Sequence, residues 1–423
     1  MVGLLSVSRI AATLLVGSLL VAGCAAPDDG GGGPEPEPSP ALVGLETELA
    51  GEADARAVGD SVNEFGFELL GEVTAGDENA VTSPVSVATL LAMVLAGAGG
   101  DTATAMAEVL HLDDSRDVRA GALLDTLTDT DQVELSVANA IWGDDQVPFE
   151  PDYVSFVRDT FGATHETADL ATPATAEAVD AWVREQTEDR IDGIAADLGM
   201  PDPDLAMVLL NAVYFLGQWT TEFDPADTLE QPFTLASGEQ VPVPLMQLRE
   251  QELAYAERDG YRMLRLPYGQ DGRYGMEVLL PDPEADLAGL LAELDAAEWR
   301  SAVDSLTEQT VDNLALPRFT LEWGEPLNEP LDRLGLGPAM DPGAADFAPM
   351  SPADLFLDVV VHKTFIAVDE AGTEAAAVTG GGMGVTSAQP QTTFRVDRPF
   401  AFTISDSQTG TVLFLGAVAD PRG

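Results

Sequence analysis

The stretch His362–Ser387, HKTFIAVDEAGTEAAAVTGGGMGVTS, changes character halfway along. His362 to Asp369 predicts a strand, with Phe365, Ala367 and Asp369 on one face and Thr364, Ile366 and Val368 on the other. Glu370, Ala371, Gly372, Thr373 and Glu374 follow, then Ala375, Ala376, Ala377, Val378 and Thr379. Gly380, Gly381, Gly382, Met383 and Gly384 then offer no face to bury and no helix propensity. Composition alone makes this a linker of small residues. Its place after a strand also suits an exposed loop that can itself become a strand.

The chain has 423 residues and is 45% hydrophobic, enough for a sizeable core. Its formal net charge is −54, from 73 acidic and 19 basic residues. That charge argues against nucleic acid, anionic lipid and polysaccharide as partners. Histidine occurs only at 111, 165 and 362, never at the spacing of an H-E-x-x-H zinc helix. Cys24 is the only cysteine, so there is no disulfide framework and no thiolate metal site. Lys363 is the only lysine and no S-x-x-K precedes it, which removes the penicillin-binding and β-lactamase class. There is no G-x-S-x-G elbow and no phosphate loop. A Ser-His-Asp site built from distant segments would leave no local signature, and nothing here points to one. Neither an enzyme, a metal nor a cofactor is expected.

The N-terminus reads as an address. Arg9 precedes an apolar run, Ile10–Ala22, that is short for a bilayer span. Val21-Ala22-Gly23-Cys24 resembles a bacterial lipoprotein signal, in which cleavage leaves Cys24 lipidated. The alternative is an ordinary secretory signal with an incidental cysteine. Residues 1–23 are therefore expected to be a signal peptide. Residues 24–54, rich in Gly, Pro and acidic side chains, are expected to be a disordered tether holding residues 55–423 outside the cytoplasm.

From residue 55 onward, helical and strand patterns alternate without a second linker. Ser83-Pro84 reads as an N-cap with proline at the first helical position. Val87, Leu90, Leu91, Val94 and Leu95 continue a helix apolar nearly all round, hence buried. Gly99-Gly100 ends it, and Asp101 is expected to cap the next. Val133–Trp142 predicts a strand, and helical patterns follow near Tyr153–Phe161 and Thr175–Arg190. Met207–Leu216 is apolar but for Asn211, which suits a central strand covered on both faces. Phe400–Ile404 and Val412–Val418 predict a closing hairpin.

Several of these stretches resemble the serpins, in the expected order: TSPVSVATLLAMVLAGAGGDTATAMAEVLHL (82–112), NAVYFLGQWTTEFDP (211–225), LALPRFTL (314–321) and RPFAFTISDSQTGTVLFLGAVADP (398–421). Glu370-Ala371-Gly372-Thr373-Glu374-Ala375-Ala376-Ala377 looks like the hinge of the serpin reactive loop. The resemblance implies an α+β fold of three sheets, about eight to nine helices and an exposed reactive-centre loop. It implies a suicide inhibitor of serine proteases, which cut the loop and are caught as covalent acyl complexes when it inserts. Ser83, Ser86, Asn211 and His362 match the polar shutter beneath the main sheet, with Trp219 near its top. For Ser83 a plain helix cap, and for His362 a satisfied structural residue, are the simpler readings.

Loop insertion needs alternation. Thr373, Ala375, Ala377 and Thr379 would point inward and Glu374, Ala376 and Val378 outward, leaving the one charge outside. Serpin spacing places the scissile bond at Thr386–Ser387, suited to an elastase-like or subtilisin-like protease with a small S1 pocket. The glycines at 380–384 depart from the pattern and weaken a strand. The acidic Asp113-Asp114-Ser115-Arg116-Asp117 lies where some serpins bind heparin, so no heparin dependence is expected, and the protein is expected to be a monomer. The other class of function is a non-inhibitory serpin-fold binding protein or cleavable substrate.

Overall fold

The computed structural model describes residues 52–113, 115–373 and 392–423, so the proposed signal and most of the tether, with Cys24, lie outside it. Helices α1 (Glu52–Val73), α2 (Pro84–Leu95), α3 (Gly100–Val109) and α4 (Arg119–Thr128) come first, with strand β1 (Ala80–Thr82) between α1 and α2. Next are β2 (Glu134–Asp144), α5 (Pro151–Phe161), β3 (Thr164–Ala168), α6 (Pro173–Gln186) and β4 (Met207–Gln218). After them run β5 (Leu229–Thr234), β6 (Gln240–Glu257), β7 (Tyr261–Pro267), β8 (Tyr274–Pro281), α7 (Leu287–Glu293) and α8 (Ala296–Asp304). Strands β9 (Thr307–Pro317) and β10 (Phe319–Pro326) lead to an interrupted helix over 328–340 and then β11 (Val361–Val368). The described chain closes with β12 (Gly372–Thr373), β13 (Thr393–Arg395), β14 (Phe400–Asp406) and β15 (Thr411–Val418). With 328–340 counted once, the described residues hold nine helices, and the class is α+β.

One sheet has six strands in the order β10-β11-β12-β4-β2-β3. The other has nine, in the order β1-β15-β14-β8-β7-β6-β9-β13, with β5 also on β6. Three sheets were expected. Two of them form one hydrogen-bonded surface because β6, 18 residues long, pairs with β5 at its start and with β7 at its end.

Helix α2 packs against both β4 and β15, and so against both sheets. Ser83 accepts the Ser86 N–H at 3.4 Å, Pro84 opens the first turn, and every residue of the helix but Leu90 is buried. Asp101 does not cap α3; the cap position is Gly99, which has no side chain, and Asp101 lies in the first turn. Strand β4 alternates between buried and half-buried residues, so its two faces are not covered equally. Strands β14 and β15 are buried throughout, as a hairpin inside the wider sheet must be.

The wider sheet encloses a charge. Glu277 on β8 is fully buried and paired with Arg265 of β7. Thr403 donates to its Oε2 at 2.5 Å and Ser405 to its Oε1 at 2.8 Å. Breaking such a pair from one side strands the other charge in the interior, which costs about 3–5 kcal/mol, whereas an apolar pair of similar volume is tolerated. We expect Glu277→Ala to lower the urea midpoint steeply. The double variant Arg265→Met/Glu277→Leu should recover most of that loss.

Candidate functional site

Strand β11 ends in a tight reversal. Asp369 Oδ1 accepts the N–H groups of Ala371 (2.9 Å) and Gly372 (3.2 Å), and the Asp369 N–H bonds the Gly372 carbonyl at 2.9 Å. The chain then enters the sheet as β12, between β11 (Val368 opposite Thr373) and β4 (Gly372 opposite Gln218, Thr373 opposite Gly217). Residue 372 must be glycine, since a Cβ there would stand 2.0 Å from the Gly217 carbonyl oxygen.

Trp219, just past β4, clamps this turn. Its backbone N–H bonds the Ala371 carbonyl at 2.9 Å, and its indole N–H bonds the Asp369 carbonyl at 3.0 Å. Its ring stacks on Tyr268, 4.4 Å between centroids and 12° from parallel. The Tyr268 hydroxyl lies 2.6 Å from Thr373 Oγ1, and Thr373 is only 2% exposed. Burial pushes the Tyr268 phenol well above its ordinary range. Glu370 accepts from Thr228 Oγ1 at 2.7 Å, stands 3.5 Å from Arg318 and has its carbonyl bonded by the Phe223 N–H at 2.8 Å.

Below Thr373, among the described residues, no ladder joins β4 to β11, and the six-stranded sheet divides into β4-β2-β3 and β10-β11. A cavity of about 410 Å³ lies between the two halves, with Val87 and Val94 of α2 behind and Val183 of α6 and Ile194 in front. The first turn of α2 reaches both banks. Ser86 Oγ donates to Asn211 Oδ1 on β4, while the Ser83 N–H donates to His362 Nε2 on β11 at 3.0 Å. The chain continues from Asn211 Nδ2 to Asn139 Oδ1 (2.7 Å) and from Asn139 Nδ2 to the Phe161 carbonyl (2.8 Å). Thr364 Oγ1, 3.3 Å from His362 Nε2, donates to the Val81 carbonyl at 2.8 Å.

The structure thus brings Ser83 to His362 and Ser86 to Asn211, as two pairs on opposite banks, and places Trp219 against the turn that carries Glu370, Gly372 and Thr373. Glu374, Ala375, Ala376, Ala377, Thr386 and Ser387 lie outside the described residues. Sequence alone did not single out Asn139, Tyr268, Thr228 or Arg318. Asn139 carries a signal only once β2 and β4 are paired, when it falls opposite Asn211. Among the described residues no group of three or more His, Cys, Asp or Glu side chains could hold a metal ion.

An accepting Nε2 puts the His362 proton on Nδ1 and makes the ring neutral. Burial lowers its pKa to about 4 from an ordinary 6.5. Between those values the unfolded chain binds the proton and the folded one does not. The stability from the neutral ring is therefore full above about pH 6.5 and falls as pH drops toward 4, by about 3 kcal/mol in all. His362→Gln, which can still accept the Ser83 N–H, removes that slope. Denaturant unfolding of both proteins at several pH values should show their stability difference changing across this window, and a constant difference would refute the assignment.

The family model described as Serpin (serine protease inhibitor) matches residues 60–421. The chain is 36% identical over 373 residues to Serpin B6 of Macaca fascicularis, covering 84% of this chain and 97% of that one. It is 35% identical over 359 residues to Leukocyte elastase inhibitor of Sus scrofa, covering 81% and 93%. Among solved structures, the native state of the thermophilic serpin tengpin aligns with a TM-score of 0.78 at 28% identity, over 86% of this chain and 94% of the other. Thyroxine-binding globulin complexed with thyroxine shares the fold at 24% identity and a TM-score of 0.76, over 87% of this chain and all of that one. With a family match along almost the whole described chain and relatives at this identity, the protein belongs to the serpin family.

Proposed function

We propose that this serpin is a suicide inhibitor of serine proteases with small S1 pockets, elastase-like or subtilisin-like, acting as a monomer through cleavage and insertion of its reactive-centre loop. The observation that carries the reading is the seating of Thr373 between β4 and β11, above a groove that no other described strand bridges. Continuing that register downward sets Ala375 beside Phe215 and Ile366, and Thr379 beside Asn211 and His362, on the face toward α2. The loop's hydroxyl would thus meet a rung with a polar side chain on each bank, Asn211 and His362. Glu374 falls on the opposite face, so no carboxylate enters the core.

The protease serine would attack the Thr386 carbonyl, forming the acyl ester as the Thr386–Ser387 bond breaks and Ser387 leaves with a new amine. Insertion then carries the acyl-linked protease roughly 14 residues at about 3.3 Å each, on the order of 45 Å. Relatives named leukocyte elastase inhibitor favour the small S1 pocket. Heparin is not a partner in this reading: Arg116 donates to the Ala96 carbonyl, and Arg119 is paired with Asp117 and Asp113. Lipidated Cys24 would hold the domain on the outer side of the cell membrane.

Trapping, insertion and address are tested separately. Elastase or subtilisin should give a covalent complex on a denaturing gel, and protein nicked in the loop by another protease should unfold at a markedly higher temperature than the intact form. Thr373→Arg, which forces a cation onto the seated inward position, should turn the inhibitor into a substrate, whereas Glu374→Arg should be far milder. No complex and no thermal gain would favour the non-inhibitory class. For the address, mature protein should partition with membranes and Cys24→Ser should release it or leave its signal uncleaved; a wholly soluble wild-type protein beginning at Ala25 or later would exclude the anchor.

A further inference from the structure

The cavity of about 410 Å³ within the six-stranded sheet has the size of a small-molecule site. Much of its lining is aliphatic, with Leu90 and Val94 of α2, Ile194, Leu198 and Leu209 among it. An apolar void of this kind stays dry and takes apolar guests. The polar side chains in the lining, Ser86, Asn211 and His362, are already engaged in hydrogen bonds within the protein. The interior therefore offers a guest little but hydrocarbon.

Its mouth has the opposite character. The exposed residues of the lining are Asp204, Asp354, Phe356 and Asp358, and they mark where the cavity meets solvent. Asp204 stands just before β4, and the other three lie in the segment that leads into β11, so carboxylates rim the opening from both banks. This rim is held in place. The Leu357 N–H bonds the Ala339 carbonyl at 2.8 Å, and Asn328 Nδ2 donates to the Asp358 carbonyl at 2.7 Å. The lining's cation, Lys363, is taken by Asp197 Oδ2 at 2.6 Å and the Gly193 carbonyl at 2.8 Å.

We propose that this cavity binds a small amphiphilic cation, an alkylammonium compound, with its chain between the banks and its head among Asp204, Asp354 and Asp358. The chain leaves water, while the head stays at a wet, acidic rim and is not desolvated. An anionic amphiphile with the same chain would set a carboxylate against three others. A neutral one would gain from its chain alone. The site goes beyond the loop-insertion reading and does not need it. If that reading holds, an inserted strand takes the same space, and the ligand binds the uncut protein only.

The test is titration calorimetry of the full-length, uncut protein with decylammonium, decanol, decanoate and butylammonium. Decylammonium should bind once per chain, about three- to ten-fold tighter than decanol, with decanoate weakest, and added salt should narrow the difference. Butylammonium, a head with little chain, should show no saturable site. Asp354→Asn/Asp358→Asn should weaken decylammonium about three- to ten-fold and leave decanol unchanged. Leu90→Trp, which fills the cavity, should weaken all three long-chain probes; should it fail to fold, the double aspartate variant decides. Decanoate binding as tightly as decylammonium, or decylammonium binding indifferent to the double variant, would overturn the proposal. So would binding that persists in nicked protein whose unfolding temperature has risen. Nicked protein that gains no stability and still binds would remove the inhibitor reading and leave the site standing.

Discussion

The first turn of α2 is the point on which the six-stranded sheet depends. Ser83 and Ser86, one turn apart, reach across its groove from behind, one to His362 on β11 and the other to Asn211 on β4. The helix lies against both sheets, so it cannot follow either bank without disturbing its contacts with the other sheet. These polar contacts are short and directional, and a modest lateral displacement breaks them. The apolar residues around them, Val87 and Val94 among them, tolerate the same displacement better because packing is not directional. A helix cap that elsewhere only starts a helix here sets the resting width of the groove.

How much could be read from the sequence depends on where each contact is encoded. The alternation of His362–Val368, the proline-led buried helix and the lone Asn211 in an apolar strand are local patterns, and the folded chain keeps them. Gly372 could be singled out in the sequence, although the reason it must be glycine, contact with the Gly217 carbonyl oxygen, requires the neighbouring strand. The illegible residues are those whose partners come from far along the chain. Tyr268 meets Thr373 across 105 residues, and Thr228 meets Glu370 across 142. No periodicity announces such pairs. The misplaced cap of α3 has a nearer cause: an acidic residue in the first turn favours the helix dipole without occupying the cap position. The fusion of two expected sheets arises because β6 is long enough to serve both.

The acidic charge sets a second constraint. With so few basic residues, several arginines are engaged in internal bonds. Arg265 is enclosed with Glu277, and Arg273 joins Asp406 while bonding the Thr126 and Asp129 carbonyls near the end of α4. The exposed carboxylates repel one another, which keeps the protein dispersed but strains the compact state. Stability must therefore come from apolar burial and from these few cations.

The hinge grips the chain mostly by its backbone. The carbonyls of Asp369, Glu370 and Ala371 accept from Trp219 and Phe223, and Gly372 fits because it lacks a side chain. A holder that reads main chain is indifferent to most side chains further along. The segment beyond Thr373 can therefore diverge in sequence, within the demand for small side chains on one face, without loosening its root. If that segment is the one proteases cut, as proposed, specificity would be a replaceable cassette, open to exchange by drift or by design, while the anchorage that would turn a cut into motion remains the same.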